Sequence, residues 1–389
     1  MPGLGRKVFT PGEVLTATNV QNYLMDQAVQ VYADTASRGS AIGSATTEGM
    51  VSWLSDTDQM QVAVGTATWQ DVSLVQSPNY VINGGFDVWQ RGTGAVTTNG
   101  LYSADRWIIG SSAGTNSVTR STDVPTGTGL AYSISFAGTS TTNPRIRQRI
   151  ESANSLGFAG KTVTLSFYAK STSGTGAIKV DTAYPTTTAD TFGTWASPTT
   201  TADQSGLEVL PTGNASTSWT WYSVTFAVNS LASRGYQIDL YRETSTASST
   251  TLFAGVQLEL GFVATPFKRN GSTLQAELAA CQRYYYRAEG AQIRYGFGFN
   301  RSTTVTTVVV PFPVTMRTAP TALEQSGTAA NYAVAHANTG SSCTAVPTFR
   351  YATTLSSEVT FTTGGLTTGQ GSVGYTDNTS GYLGWSAEL

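Results

Sequence analysis

Histidine and cysteine are scarce in this sequence, whose 389 residues include one histidine and two cysteines. Cys281 and Cys343 are too few and too far apart for a disulfide framework or a zinc motif. The single histidine, His336, lies in a segment that predicts a loop or strand, and no G-x-S-x-G motif supplies a nucleophile for it. No phosphate-binding G-x-x-x-x-G-K-[ST] motif occurs either. These shortages argue against hydrolase, metalloenzyme and nucleotide chemistry.

Charged residues are also few, at 12% of the chain against about 25% in an average globular protein. The formal net charge is −2 and lysine and arginine form no block, so the basic surface that nucleic acid requires is missing. No run of about 18 apolar residues occurs, and the N-terminus has no apolar core of signal-peptide length. We therefore expect a soluble protein that neither binds nucleic acid nor inserts into a membrane.

Hydrophobic residues make up 40% of the chain, enough for a core in each of two or three domains. Near the N-terminus, Thr18–Val31 places apolar residues three and four positions apart, which predicts an amphipathic helix. Glu48–Val72 has two apolar runs around a Ser-Asp-Thr-Asp turn and predicts a small β-hairpin with a third short piece at Trp69. Neither unit is stable alone, so we expect both to pack against neighbours or against copies of themselves.

From about Pro78 to Arg269, apolar and polar residues alternate in several segments separated by Gly/Ser/Thr turns. This period of two indicates strands that are buried on one face, and it predicts an antiparallel sandwich of the jelly-roll kind. The residues expected to face the core are Val163, Leu165, Phe167 and Ala169; Tyr222, Val224, Phe226 and Val228; Tyr236, Ile238 and Leu240; and Leu252, Ala254, Val256, Leu258 and Leu260.

After the sandwich, Ser272 and Gln275 have the spacing of a capping box, which predicts a short helix. Strand-like segments then continue to the C-terminus. The predicted fold class is mainly β, with an N-terminal short helix and β-hairpin, a central antiparallel jelly-roll sandwich and a C-terminal β domain. The corresponding bounds are 1–40, 41–76, 77–270 and 271–389.

Trp219 and Trp221 lie two residues apart and point away from the predicted core face of their strand. Sugar rings stack on aromatic rings while amides and carboxylates bind their hydroxyls, so this face is a candidate glycan site. Alternatively, the two indoles pack against a loop, a neighbouring domain or another subunit. The candidate glycan-binding strip comprises Trp219, Trp221, Tyr168, Gln237, Asp239 and Tyr241.

The stretch NGGFDVWQRGTGAVTTNGLYSADRW, residues 83–107, either binds a ligand or anchors the fold. Alternation pairs Phe86 with Val88 and Asp87 with Trp89, so one pair faces inward, and the stretch predicts the first strand and clamp of the sandwich. Structural anchoring is the preferred interpretation. Its residues are Asn83, Phe86, Asp87, Trp89, Arg91, Asp105, Arg106 and Trp107.

A glycosidase needs two carboxylates facing each other across a cleft. No spacing in the sandwich singles out such a pair, and surface positions are the better interpretation. The carboxylates considered are Asp181, Asp190, Asp203, Glu208, Asp239 and Glu243.

Three parts of the sequence together resemble proteins of tailed bacteriophages. Residues 5–38 followed by 47–72 resemble the N-terminal segment of many phage tail proteins. NGGFDVWQRGT…YSADRW, together with AGVQLELGFVATPFKRN and ELAACQRYYYR, resembles the sandwich module of tail fibres and other virion appendages. GYLGWSAEL resembles the last strand of their C-terminal domains.

This resemblance implies a virion protein, a tail fibre or minor tail protein, assembled in the host cytoplasm and carried on the particle. It implies a homotrimer that attaches to other virion proteins through its N-terminal segment and presents β domains to host-surface glycans. The sandwich also resembles a carbohydrate-binding module. Many such modules hold calcium, for which Asp87 matches the first ligand position, but Ala254 and Gly255 replace the later acidic pair and argue against the ion.

The function expected from the sequence is therefore a non-enzymatic, trimeric phage fibre or minor tail protein that adsorbs to host glycans. One alternative is a capsid-attached head fibre or decoration protein with no glycan role. A less favoured alternative is a polysaccharide depolymerase. No cofactor is expected beyond the doubtful calcium.

Overall fold

The computed structural model describes residues 11–20, 28–57, 59–72, 77–110, 116–138, 145–172, 177–194, 198–208, 216–242 and 249–389. The chain divides into two compact units, Met1–Ser77 and Pro78–Leu389. Both are mainly β, which confirms the predicted fold class. Every helix in the ranges given is too short or too polar to span a membrane.

The first unit contains a four-stranded sheet with the order β1-β2-β3-β4. Strand β1 is parallel to β2, and the pairs β2–β3 and β3–β4 are antiparallel. The predicted hairpin and its third short piece are therefore confirmed. The strands are β1 Val29–Tyr32, β2 Val51–Leu54, β3 Gln59–Gly65 and β4 Thr68–Asp71.

The helix predicted over Thr18–Val31 is wrong at its C-terminal end. Helix α1 is Ala17–Val20, residues 21–27 lie outside the described part of the chain, and Val29 and Val31 belong to β1. Valine is β-branched and favours extended backbone, and pairing with β2 gives that backbone partners along its length.

A second helix, α2 Thr35–Ala41, was not predicted from the sequence. Asp34 caps it by accepting a hydrogen bond from the Ser37 N–H at 2.6 Å. The buried Arg38 of this helix donates to Ser52 Oγ at 3.0 Å and also to Gln61. Residues before position 40 therefore belong to the packing of the N-terminal sheet.

The sandwich consists of two five-stranded antiparallel sheets. One, with the order β12-β9-β14-β7-β6, is called the β12 sheet; the other, β11-β10-β13-β8-β5, is called the β13 sheet. The strands are β5 Trp107–Gly110, β6 Asn116–Ser121, β7 Ser133–Gly138, β8 Arg145–Ile150, β9 Thr162–Ser171, β10 Ile178–Pro185, β11 Thr200–Glu208, β12 Thr220–Ala227, β13 Tyr236–Arg242 and β14 Ser249–Leu260. A short helix, α3 Ser152–Ser155, and a 3₁₀ turn, Ser230–Arg234, connect strands.

One apolar core fills the space between these sheets, and burying each aliphatic side chain in it contributes about 1.5–3 kcal/mol. Phe167 of β9 packs edge-on against Phe253 of β14, with ring centroids 5.8 Å apart. The predicted core faces of β9, β12 and β13 are confirmed: Val163, Leu165, Phe167, Ala169, Tyr222, Phe226, Val228, Tyr236, Ile238 and Leu240 are core residues, and Val224 packs against them.

Strand β14 departs from the predicted alternation because of a β-bulge between Ala254 and Gln257. Gly255 lies inside the bulge with φ +61°, a left-handed conformation that favours glycine. The bulge changes which residues face inward, so Phe253 joins Val256 and Leu258 in the core. Leu252 and Ala254, predicted to share that face, instead lie on the other face of the sheet, opposite Lys170 and Tyr168 of β9.

The C-terminal part begins with helix α4 Leu274–Gln282. The helix is confirmed, but its N-cap is Thr273, whose hydroxyl accepts from the Ala276 N–H at 3.1 Å, and not Ser272. The following β domain contains a three-stranded sheet, β15-β24-β18, and a seven-stranded sheet, β20-β19-β23-β16-β17-β22-β21. The strands are β15 Tyr285–Glu289, β16 Arg294–Asn300, β17 Val305–Pro311, β18 Glu324–Gln325, β19 Tyr332–His336, β20 Thr339–Ser342, β21 Ala345–Ala352, β22 Ser356–Thr362, β23 Gly371–Thr376 and β24 Tyr382–Ser386.

A small apolar cluster joins the sandwich to this C-terminal part. Ile82 and Val88 of the sandwich pack with Cys281 and Tyr284 from the end of α4. Nearby, the Arg283 guanidinium donates to the Glu151 carboxylate at 3.0 Å. The sandwich and the C-terminal β domain therefore share packed contacts within one unit, while the predicted bounds 77–270 and 271–389 remain predictions.

Candidate functional site

The six residues of the predicted glycan strip do not lie on one surface, so the single strip is wrong. Trp221 and Tyr168 belong to the β12 sheet, with Trp219 directly before β12. Gln237, Asp239 and Tyr241 belong to β13 in the other sheet. Strands β12 and β13 follow each other in sequence, but the Ser230–Arg234 turn carries the chain from one sheet to the other. The outer faces of the two sheets are therefore separate candidate sites.

On the β12 sheet, Trp221 and Tyr168 are directly opposite each other across adjacent strands. Trp221 is 43% exposed and Tyr168 is half-buried, so the pair forms an aromatic surface open to solvent. Both point away from the core because Tyr222 and Phe167, their neighbours in sequence, are core residues. We call Trp221 and Tyr168 the aromatic pair.

Trp219 has a structural partner. Its indole N–H donates to Asp123 Oδ1 at 2.8 Å, and Lys170 forms an ion pair with Asp123 Oδ2 at 2.7 Å. These bonds from Lys170 and the indole lower the pKa of Asp123. Trp219 thus holds the loop after β6 against the sheet, which is the loop-packing alternative considered for this residue.

The outer face of the β13 sheet carries a dense charged network. Arg147 donates to both carboxylate oxygens of Asp239 at 2.6 Å, and Arg145 bridges Asp239 at 3.0 Å and Asp181 at 3.1 Å. The Tyr241 hydroxyl donates to Asp181 at 3.1 Å. The ion pairs and hydrogen bonds of this network fix the side chains in place. Asp239 and Tyr241 therefore have structural roles in addition to any ligand contact.

The arginines of this network were missed in the sequence. In RIRQRI, residues 145–150, Arg145, Arg147 and Arg149 recur at a period of two, which places them on one face of a strand. The Gln237 amide lies between the Arg147 and Arg149 guanidinium groups. Arg149 also donates to the Leu389 backbone oxygen at 2.8 Å, so the C-terminus covers part of this face.

Residues 83–107, which we call the signature stretch, form an irregular turn segment up to Arg106, and not the strand expected from their alternation. Asn83 organises it: the amide donates to the backbone oxygens of Val88 at 2.8 Å and Asp105 at 3.0 Å, and its oxygen accepts from the Val88 N–H at 3.0 Å. Because the segment is not a strand, its side chains do not alternate between two faces. The prediction that one of the pairs Phe86–Val88 and Asp87–Trp89 faces inward is therefore wrong.

Both Phe86 and Trp89 reach the sandwich core, together with Trp107 at the start of β5. The Trp89 indole donates to the Phe86 oxygen at 2.7 Å, and the Trp107 indole donates to the Asn83 oxygen at 3.0 Å. These contacts are structural, and the three rings are buried.

Asp87 is engaged by a cationic side chain, since Arg269 Nε donates to Asp87 Oδ2 at 2.8 Å. Ala254 and Gly255 supply no side-chain oxygen, and a calcium ion needs six or more oxygen ligands. No cluster of three or more metal-ligating side chains occurs in the ranges that the structure covers. The residues around Asp87 therefore do not fit a calcium site.

Arg106 and Arg91 extend from the signature stretch to the end of the chain. Arg106 is buried and forms an ion pair with Glu388, and Arg91 lies 3.3 Å from the same carboxylate. Asp105 accepts from the Gln90 backbone N–H at 2.9 Å instead of pairing with Arg106. Burial, partly offset by Arg91, raises the pKa of Asp105 to about 6.

The other candidates for catalysis also have structural partners. His336 ends strand β19, as a strand residue, and its Nε2 lies 2.9 Å from Ser341 Oγ. Asp190 accepts from the Ser152 N–H at 2.7 Å, and Asp203 accepts from the Tyr236 hydroxyl at 2.7 Å. Glu243 lies outside the described residues.

No protein-family model matches this chain, and neither does any curated protein. Among solved structures, the enzymatically active domain of tailspike protein 4 from bacteriophage CBA120 is similar, with 18% identity and a TM-score of 0.30 over 47% of this chain and 21% of that one. The present chain thus matches about a fifth of that domain.

Two smaller proteins are matched over nearly their whole length. The CBM22-1 xylan-binding domain of Paenibacillus barcinonensis is 12% identical over 49% of this chain and 100% of that one, with a TM-score of 0.32. TmCBM61, solved in complex with β-1,4-galactotriose, is 14% identical over 47% of this chain and 99% of that one, with a TM-score of 0.28.

Proposed function

We propose that this chain is a structural, non-catalytic component of a tailed-bacteriophage virion that adsorbs to host-surface glycans. In this proposal it is a homotrimeric tail fibre or minor tail protein, assembled in the host cytoplasm and attached to other virion proteins through its N-terminal segment. The support for the virion role is the sequence resemblance of residues 5–38, 47–72 and the NGGFDVWQRGT stretch to phage tail proteins.

The aromatic pair carries the glycan part of the proposal. Trp221 and Tyr168 face solvent side by side on adjacent strands, and Trp221 is 43% exposed although it belongs to an ordered strand. Sugar rings stack their C–H faces on such rings, while the neighbouring Lys170 and Asp123, whose side chains are 24% and 43% exposed, offer polar groups for hydroxyls. Binding to one site would be weak, and three copies in a trimer would strengthen it.

A glycan array probed with the full chain tests this part. Trp221→Ala should abolish binding to neutral glycans at unchanged thermal stability, because the indole is exposed. Phe262→Ala is the matched control, since Phe262 is 45% exposed on a loop of the same sandwich. Equal binding by Trp221→Ala and the parent protein would contradict the site, and binding to no glycan would favour a decoration protein without a glycan role.

Attachment to the particle is tested by deleting residues 1–27. This deletion keeps β1 and Arg38, whereas a deletion to residue 40 would remove both and damage the N-terminal sheet. We expect the shortened protein to be absent from purified particles and to lose its trimeric mass in sedimentation. Normal incorporation would place the attachment elsewhere.

The non-catalytic part is supported by the partners of Asp181, Asp190, Asp203 and Asp239, which are arginine, serine and tyrosine side chains. It is tested by incubating host polysaccharide with the protein and measuring reducing ends. Release that a single carboxylate-to-amide change abolishes would identify a depolymerase.

A further inference from the structure

The exposed face of the seven-stranded sheet contains a trough of about 660 Å³. It lies over strands β16, β23 and β19 and the β19–β20 turn, on the face of the sheet opposite the core residues Phe361 and Val334. Its lining includes Arg294, Phe297, Gly371, Tyr375 and Asn338. We call it the glycine trough, and its volume lies within the range of about 300–1,000 Å³ typical of ligand sites.

The exposed ring of Phe297 lies at one wall of the glycine trough. Phe297 is 80% exposed, although it occupies the middle of an ordered sheet between Val309 and Val373. Large apolar side chains at such positions are normally covered, and contiguous exposed apolar surface marks a site of interaction. The ring therefore offers a free stacking face.

Glycines open the trough beside this ring. A Cβ added at Gly371 would meet only the Gly298 backbone oxygen, at 3.9 Å, so the space above Gly371 is empty because the residue has no side chain. At Gly340, on the opposite side, a Cβ would come within 2.5 Å of the Tyr375 hydroxyl. Larger residues at these positions would fill the trough or displace Tyr375.

The described lining of the trough contains Arg294 and no carboxylate, although Asp377, outside the lining, interacts electrostatically with Tyr375. The Arg294 guanidinium lies 4.2 Å from the centroid of the Tyr375 ring, which holds it at the wall. Arg294 makes no ion pair with any carboxylate in the part of the chain that the structure describes. Asn338, exposed at the turn, adds an amide that both donates and accepts.

We propose that the glycine trough binds a saccharide bearing a carboxylate. A sugar ring stacks on Phe297, its carboxylate pairs with Arg294, and Asn338 binds a hydroxyl. An arginine binds a carboxylate bidentately, and an aromatic face binds the C–H face of a sugar, so one residue of a uronic or sialic acid satisfies both groups. This site is in a different domain from the aromatic pair and does not depend on it.

Calorimetric titration of the full chain tests the proposal, with oligosaccharides of galacturonic acid, glucuronic acid and sialic acid, and a neutral galactose oligosaccharide for comparison. We expect at least one acidic probe to bind, and the neutral one to bind at least about tenfold more weakly, since it lacks the charge-assisted hydrogen bonds to Arg294. Binding should weaken as salt increases. Absence of binding by all three acidic probes at millimolar concentration would overturn the proposal.

Variants locate the site. Arg294→Gln should weaken acidic binding at least about tenfold, and Gly371→Leu should block it by filling the trough. The controls are Arg301→Gln, an exposed arginine of the same domain, and Tyr351→Ala, an exposed aromatic of the same sheet outside the trough. Both controls should bind as the parent does, and melting temperatures should be equal throughout.

Two results would contradict the proposal and give this surface a different role. If Trp221→Ala abolishes acidic binding while Arg294→Gln does not, the ligand lies on the sandwich and the trough proposal is wrong, whereas the glycan function survives. If Phe297→Ala lowers the sedimentation mass of the protein and no acidic probe binds, the face is an interface between copies of the chain. Loss of binding in Arg294→Gln with full binding in Trp221→Ala supports the trough alone.

Discussion

Arg106 and Glu388 are 282 residues apart in sequence and form a buried ion pair. The Arg106 side chain is 1% exposed and that of Glu388 is 6% exposed, so neither charge can be solvated if the other is removed. The pair joins the signature stretch of the sandwich to the last residues of the C-terminal β domain.

Glu388→Gln should therefore lower the free energy of unfolding by about 3–5 kcal/mol, because it leaves the buried Arg106 guanidinium without its carboxylate. Urea denaturation measures the change. Glu289→Gln is the matched control, since Glu289 is 50% exposed in its ion pair with Arg287 and should change stability by less than about 1 kcal/mol. Equal changes in the free energy of unfolding for the two variants would mean that the buried ion pair contributes no more to stability than the exposed one.

Asp105 should make stability depend on pH. Burial raises its pKa from the ordinary value of 3.8 to about 6, so folding favours the protonated carboxyl. The contribution to stability is complete below pH 3.8 and is lost as the pH rises through about 6. Relative to Asp105→Asn, the parent protein should lose roughly 2 kcal/mol between pH 4 and pH 7. A difference between the two proteins that is constant over this range would refute the prediction.

Trp219 and Trp221 should respond differently to the same substitution. Trp219→Phe removes the indole donor to Asp123 and should lower the free energy of unfolding by about 1 kcal/mol. Trp221→Phe changes an exposed ring and should stay within about 0.5 kcal/mol. A double-mutant cycle of Trp219→Phe with Asp123→Asn isolates the hydrogen bond, and a coupling energy of zero would show that the loop is held by other contacts.

Gly255 should tolerate alanine poorly. Its φ of +61° is unfavourable for a residue with a Cβ, by roughly 1–2 kcal/mol, and that Cβ would also approach Leu130 Cδ1 at 3.1 Å. Gly206→Ala is the control for backbone conformation alone, since Gly206 has φ +63° with nothing within 4 Å of an added Cβ. Thermal melts should show the larger decrease for Gly255→Ala, and equal decreases would exclude the contact with Leu130.

Much of the sandwich could be predicted from local pattern. Leu165, Phe167 and Phe226 were assigned to the core because a period of two in residue type reflects the alternation of side chains along a strand. The same argument failed on β14, where the bulge at Gly255 changes the facing of Phe253. A single glycine inside an otherwise regular run is a weak signal, since its left-handed conformation depends on the neighbouring strand.

The candidate glycan site was only partly predictable. The exposure of Trp221 followed from its position opposite Tyr222 in the alternation, but the partner of Trp219 is Asp123, 96 residues away. The arginine network was missed because its carboxylates, Asp181 and Asp239, come from two other strands. Residue type and spacing carry no information about which strands become neighbours.

The sequence by itself determined that this protein is mainly β. It also determined where strands β9, β12, β13 and β14 of the sandwich lie and which face of most of these four strands is apolar, because these properties depend on residues two positions apart. Only the tertiary structure decided that β12 and β13 belong to opposite sheets, that Arg269 binds Asp87, and that glycines open a trough beside Phe297. Those features depend on contacts between residues distant in the chain, which form only when the sheets assemble around their cores.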